Sequence, residues 1–393
     1  MTAAAGLPLG TGSQGKERRG SVRRTAGART GALAVLVLFH TGSLPAQTLH
    51  EWKTDFSKRS VPLEEIVPGG PPKDGIPAID RPKFVSVQQA DRWLDDREPV
   101  VVVDLGGEAK AYPLQILIWH EIVNDAVGGV PVAVTYCPLC NTALVFDRRV
   151  ADRILDFGTT GRLRHSDLVM YDRQTESWWQ QATGEAIVGT YTGSKLRFLS
   201  ALVVSWKTFK STYQSGKVLS RQTGHSRPYG KNPYAGYDNP RGGPISGFFS
   251  LEPDRRLPAM ERVVALELNG ESVAYPFSSL EKKGVVNDQV GGLPVVVFWM
   301  PGTASAVDAE RIAGGRDVGS SAVYGREIDG RRLTFETGPS PGLFLDRETG
   351  SRWTFLGEAI SGPLAGKKLN PLHHGNHFWF AWAAFQPSTR IAR

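Results

Sequence analysis

VVVVDLGGEAKAYPLQIL, residues 100–117, and VVALELNGESVAYPFSSL, residues 263–280, are two versions of one pattern. Each is an apolar run, a Gly-Gly or Asn-Gly turn and a second run that ends at Tyr-Pro. That order is the signature of a β-hairpin. The likeness continues at a constant offset of 163: Asn124-Asp125 aligns with Asn287-Asp288, and Gly128-Gly129 with Gly291-Gly292. After an insertion the register resumes, YDRQTESWW (171–179) against LDRETGSRW (345–353), then Trp206 against Trp379. A repeat of this length predicts an internal duplication. The expected fold is mainly β with short helices (α+β), in two tandem lobes of which the second lacks a Cys/His motif.

The boundaries follow from composition. Residues 1–46 read as a targeting segment, 47–82 as a Pro- and Gly-rich extended lead-in and 83–220 as the first lobe. Residues 221–262 form a turn-rich connector, and 263–393 the second, degenerate lobe. In each lobe a short helical stretch is expected after Tyr-Pro, QILIWHEIVNDAV (115–127) in the first.

The formal net charge of +7 invites a nucleic-acid reading, but its placement argues against one. Lys16, Arg18, Arg19, Arg23, Arg24 and Arg29 stand against Glu17 alone in the first 46 residues. The remainder is nearly neutral. The basic stretch precedes the apolar run ALAVLVLF (32–39) and the small-residue segment TGSLPAQ, with cleavage expected at Ala46. This is the order of an export signal, so a periplasmic or extracellular protein is expected. The run is too short to span a bilayer, and no transmembrane span is expected in the mature protein.

The duplication separates scaffold from chemistry. Tyr-Pro, Asn-Asp, Gly-Gly-x-Pro and the Asp-Arg-x-Thr turn recur in both lobes and read as scaffold. The only two cysteines, Cys137 and Cys140 in YCPLC, face Met300 and Thr303; His120 faces Lys283 and Glu121 faces Gly284. A Cys-x-x-C pair can bite one soft or borderline metal ion, copper or zinc, or exchange disulfides, or close a short structural disulfide. His120 and Glu121 open an H-E-x-x-H pattern, but Asn124 stands where the second histidine belongs, which excludes the zinc-protease reading. The expected metal ligands are Cys137, Cys140 and His120, with His377 from the second lobe completing the set. Glu121, Asn124, His165, Trp178 and Gln180 are expected around them. His373 and His374 read as surface residues, and Trp179, matched by Trp353, as core.

Two other classes of function fit the same residues. One is a thiol–disulfide oxidoreductase using the Cys137/Cys140 pair, with Cys137 as nucleophile. The other is a ligand- or glycan-binding module whose aromatics Trp178, Tyr229, Tyr234 and Tyr237 hold a small molecule while the cysteines form a structural disulfide.

The stretches WHEIVND (119–125), YCPLC (136–140), GHSRPYGKNPYAGYD (224–238) and HFWFAW (377–382) resemble an exported prokaryotic family catalogued as a domain of unknown function, DUF 3179. The resemblance covers most of the chain after residue 70. It implies that His120, Glu121, Cys137 and Cys140 form one signature, and it carries no established activity. The chain departs from the family pattern at Asn141, where glycine is expected, and at His165, where asparagine is more typical.

Overall fold

The Val100 and Val263 stretches form hairpins of identical register. Val100 pairs with Pro113 and Val103 with Lys110; Val263 pairs with Pro276 and Leu266 with Val273. Both turns need two consecutive positive φ angles, 57° and 80° at Gly106-Gly107 and 49° and 81° at Asn269-Gly270. Glycine and asparagine reach that region most readily, which is why the sequence marks both turns so clearly. These hairpins belong to a computed structural model that describes residues 51–392. The export signal expected at 1–46 lies outside the described residues.

Strands take 42 % of the structure and helices 11 %, so the chain is mainly β with few, short helices. Each hairpin sits at the centre of a sheet. In the first, the order is Leu202–Ser205, Pro99–Leu105, Glu108–Pro113, Lys217–Leu219, Phe84–Ser86. In the other it is Gly375–Phe378, Arg262–Leu268, Glu271–Pro276, Arg390–Ile391. A second sheet of the first half runs Arg197–Leu199, Thr142–Asp147, Val130–Cys137, Ile122–Val127. In the second half, Val285–Val290, Leu293–Met300, Ser320–Gly325 and Asn370–Pro371 form such a sheet. The third sheet of each half carries the Asp-Arg-x-Thr turn, between Asp167–Asp172 and Trp178–Gln180 and between Leu343–Asp346 and Arg352–Thr354.

The described residues belong to one compact unit, and the stretches 83–220 and 263–393 share their cores. Val100, Val102, Trp206 and Phe209 cluster with Phe298, Tyr324 and Phe335; Phe378 and Phe380 cluster with Tyr136, Cys137 and Leu144. These shared clusters tie the two halves together through the hydrophobic effect, while Val264, Leu266, Tyr275, Val295 and Val297 form a cluster of the second half's own. The lead-in is sewn to the first half. Ile66–Pro68 pairs with the Phe157–Arg164 strand, and Ile79 exchanges backbone bonds with Ile122 and Asn124.

One helix ends sooner than the sequence suggests. QILIWHEIVNDAV was expected to be helical throughout, but the helix spans Leu114–His120 and the rest is the strand Ile122–Val127. Glu121, at φ 57° and ψ −31°, breaks the helix. The β-branched Ile122 and Val123 then favour the pleated sheet, where both are fully buried. No helix among the described residues is long and apolar enough to cross a membrane.

Candidate metal centre

YCPLC forms the end of one strand and the turn that follows it. Cys137 closes the Val130–Cys137 strand and pairs with Thr142. Pro138 to Asn141 make the turn, with the Asn141 amide donating to the Pro138 carbonyl at 3.2 Å. Asn141 has φ 52°, a left-handed angle that glycine adopts freely and asparagine tolerates. Asn141 therefore keeps a turn that glycine would also allow. Three groups clamp it. The Phe378 amide donates to the Cys140 carbonyl at 2.9 Å, and the Tyr237 hydroxyl to the Leu139 carbonyl at 3.0 Å. The Thr142 hydroxyl donates to the Cys140 carbonyl at 3.2 Å.

A second tight turn faces the first. Arg164 pairs with Asp167 across the two-residue loop His165-Ser166, both at positive φ (51° and 66°). Such a loop favours asparagine over histidine at its first position. The Ser166 amide donates to the Phe248 carbonyl at 2.7 Å, which fixes the loop. Its own carbonyl lies 3.6 Å from Cys137 Sγ and 3.3 Å from Cys140 Sγ.

The two turns bring Cys137, Cys140 and Asp167 together, with one ligand atom of each within 4.8 Å of the others. All three are buried, Cys140 and Asp167 completely. Both thiols are free. Asp167 Oδ1 accepts from Gln180 Nε2 at 2.6 Å and from the Ala182 amide at 2.9 Å. Its Oδ2 is buried with no hydrogen-bond partner. Burial pushes the Asp167 carboxyl up to about 7, against the bonds from Ala182 and Gln180. Burial, then the neighbouring Cys137 and Asp167, raises the Cys140 thiol well above its usual range. In the metal-free protein these groups thus hold their protons near neutral pH. A cation that replaces the protons removes the penalty.

Glu121 is buried as well. Burial, then repulsion from Asp167, raises its carboxyl to about 8. Gln180, expected near the cysteines, is there as the anchor of Asp167.

The structure does not bring the expected histidines into the centre. Both ring nitrogens of His120 are engaged, Nδ1 with the Pro77 carbonyl and Nε2 with the Tyr229 hydroxyl, each at 2.7 Å. Burial holds this imidazole down at about 4, so it is a neutral, fully bonded link. His377 is buried and bonds Thr142 Oγ1 through Nδ1 at 2.8 Å, and its ring is not among the converging ligand atoms. His165 points to Ser250 Oγ at 3.1 Å and pairs with Glu65 at 3.4 Å. Trp178 stacks edge-on against Trp52 and Phe56, under the Arg162 guanidinium. His374, read as a surface residue, is instead buried, with Nδ1 2.8 Å from the Leu372 carbonyl.

Asn124 is scaffold: its amide bonds Asp80, and it exchanges two bonds with the Phe157 backbone at 2.8 and 2.9 Å. Asn287 exchanges the same two with Phe335. The residue missed from the sequence is Asp167. Its signal lay in the likeness of YDRQTESWW to LDRETGSRW: in that register Asp167 faces Pro341.

No curated protein and no solved structure matches the chain. Residues 73–389, which hold both turns, Glu121 and the clamp at Phe378, match the family model described as protein of unknown function (DUF3179), and the chain belongs to that family.

Proposed function

We propose that the protein is an exported metalloprotein whose buried centre, Cys137, Cys140 and Asp167, holds a zinc ion. The observation that carries this is the convergence of two sulfurs and the Asp167 carboxylate, whose Oδ2 has no hydrogen-bond partner. Tetrahedral zinc with sulfur bonds near 2.3 Å and oxygen bonds near 2.0 Å wants ligand atoms roughly 3.5–3.8 Å apart. Atoms already within 4.8 Å need only a small closure. The carboxylate favours zinc over copper(I), which prefers an all-sulfur or sulfur-rich shell. Full burial of Cys140 and Asp167 suits a closed centre that retains its metal.

The thiol-exchange reading needs an exposed, acidified thiol. Cys137 is 2 % exposed and Cys140 is 0 %, and the Cys140 pKa moves in the opposite direction. Export rests on the order of charge and apolarity in residues 1–46.

Metal analysis of protein purified without a histidine tag tests the proposal. Zinc near one equivalent is expected in the wild type, and less than a tenth of that in the Cys137→Ser/Cys140→Ser variant. A metal content that the double substitution leaves unchanged sinks it.

A further inference from the structure

We infer that the cavity beside His377 binds a small neutral ring compound that donates one hydrogen bond, a phenol or an N–H heterocycle. None of the three zinc ligands takes part, so this site stands apart from the metal reading. The first observation is an imidazole with an open acceptor. The Thr142 hydroxyl donates to the Cys140 carbonyl, so toward His377 Nδ1, 2.8 Å away, it accepts. Nδ1 therefore carries the ring proton. Burial keeps the imidazole neutral, down at about 3. The lone pair is left on Nε2, which is buried with no hydrogen-bond partner. An unpaired buried acceptor is costly, and a ligand that brings a donor removes the cost.

The second observation is the space beside that ring. A cavity of about 300 Å³ is bordered by His377 and Gly375 and walled by Leu144, Phe198, Trp382 and Phe385. Roughly 150 Å³ is enough for benzene, and aromatic walls with a few polar points suit a small organic ligand. Two of the polar pairs lining it bond each other, Lys195 with Glu185 at 3.8 Å and Gln386 with Glu267 at 3.1 Å. His373 stacks on Phe198 with ring centroids 4.2 Å apart, and its buried, unpartnered Nδ1 is a second polar point. Among the described residues no third His, Cys, Asp or Glu gathers with these two histidines, which favours an organic ligand over a metal ion. Gly375 keeps the acceptor clear. Its φ is not positive, so the backbone does not ask for glycine, yet a Cβ there would stand 2.2 Å from His377 Nε2. In the other hairpin sheet the same places hold ordinary apolar residues. Leu202 pairs with Val102 and Val204 with Val100, as Gly375 pairs with Ala265 and His377 with Val263.

The test titrates the full-chain protein, as purified, with phenol and with toluene, which has a methyl in place of the hydroxyl. Calorimetry should give phenol a Kd of about 1 mM or lower. Toluene should bind at least tenfold more weakly, because it leaves Nε2 unpaired. His377→Phe keeps a ring wall without the acceptor and should weaken phenol at least tenfold as well. Phenol should also move the ring ¹⁵N resonances of a buried histidine in the wild type, and toluene should not. That second readout needs no variant and decides the matter if His377→Phe does not fold. Phenol that binds no tighter than toluene, that leaves every imidazole resonance in place or that fails to bind at about 10 mM overturns the inference. Zinc content enters none of these outcomes, so the metal reading stands or falls separately.

Discussion

The turn after Cys137 and the corresponding excursion after Met300 connect strands of the same kind, yet they are built for different ends. In the first half four residues, Pro138 to Asn141, join Cys137 to its partner Thr142. In the second, Met300 pairs with Ser320, and the chain between them makes a long detour. That detour supplies Val307, Asp308 and Glu310 to the backbone of the connector, and Ser305 and Arg316 to the buried Asp238. The short turn concentrates donor atoms and the long one concentrates packing. Around them the scaffold is the same. Asp172 accepts from Thr175 and from Trp179 Nε1 at 2.9 Å; Asp346 accepts from Thr349 and from Trp353 Nε1 at 2.8 Å. Tyr112 donates to Asp125 and Tyr275 to Asp288, at 2.6 and 2.7 Å. A residue held in both halves serves the fold; a residue held in one is free to serve the site.

The largest test of that contrast is at the shared aspartates. Asp172→Ala and Asp346→Ala each strand a buried indole N–H and a turn, and each should cost about 3–5 kcal/mol in urea unfolding. A cost confined to one half would break the equivalence.

Next comes the pH response of the metal-free protein, on the order of 2–4 kcal/mol across the range. Glu121 and Asp167 are raised by burial to about 8 and 7. The stability they contribute is complete below their unfolded values, near 4, and is lost as pH rises through 7 to 8. His120 and His377 are lowered by burial to about 4 and 3. Their contribution is complete above about 6.5 and is lost as pH falls through 4 to 3. Melting temperature against pH should fall at both ends, and Glu121→Gln should flatten the alkaline limb. An alkaline limb untouched by that change places its origin elsewhere.

A smaller effect sharpens the scaffold comparison. Asn124 makes three hydrogen bonds and Asn287 two, so Asn124→Ala should cost about 2 kcal/mol or more, and Asn287→Ala about 1. Equal costs would show that the bond to Asp80 contributes nothing. The smallest change in stability is expected at Asp167→Asn, under about 1 kcal/mol, because Gln180 and the Ala182 amide keep their acceptor. Zinc content should nevertheless drop well below half an equivalent. An Asp167→Asn protein with full zinc removes Asp167 from the centre.

The sequence by itself was enough for the hairpins and the β-rich class, because turn chemistry and apolar alternation are local. Setting the two similar stretches side by side picked out the cysteines as singular to residues 83–220 and Asn124 as scaffold. The same comparison sets Asp167 against Pro341, but an aspartate next to a histidine in a tight turn gives no local sign of a ligand. Only the tertiary structure decided which singular residues meet. His120 and His377 have the right chemistry and the wrong neighbours, a carbonyl and a tyrosine for one and a threonine for the other. Asp167 reaches the sulfurs because two turns, 26 residues apart at Cys140 and Ser166, are pressed face to face by the clamps at Phe378, Tyr237 and Phe248. Such long-range placement depends on which apolar faces are buried against each other, and that information is spread over the whole chain.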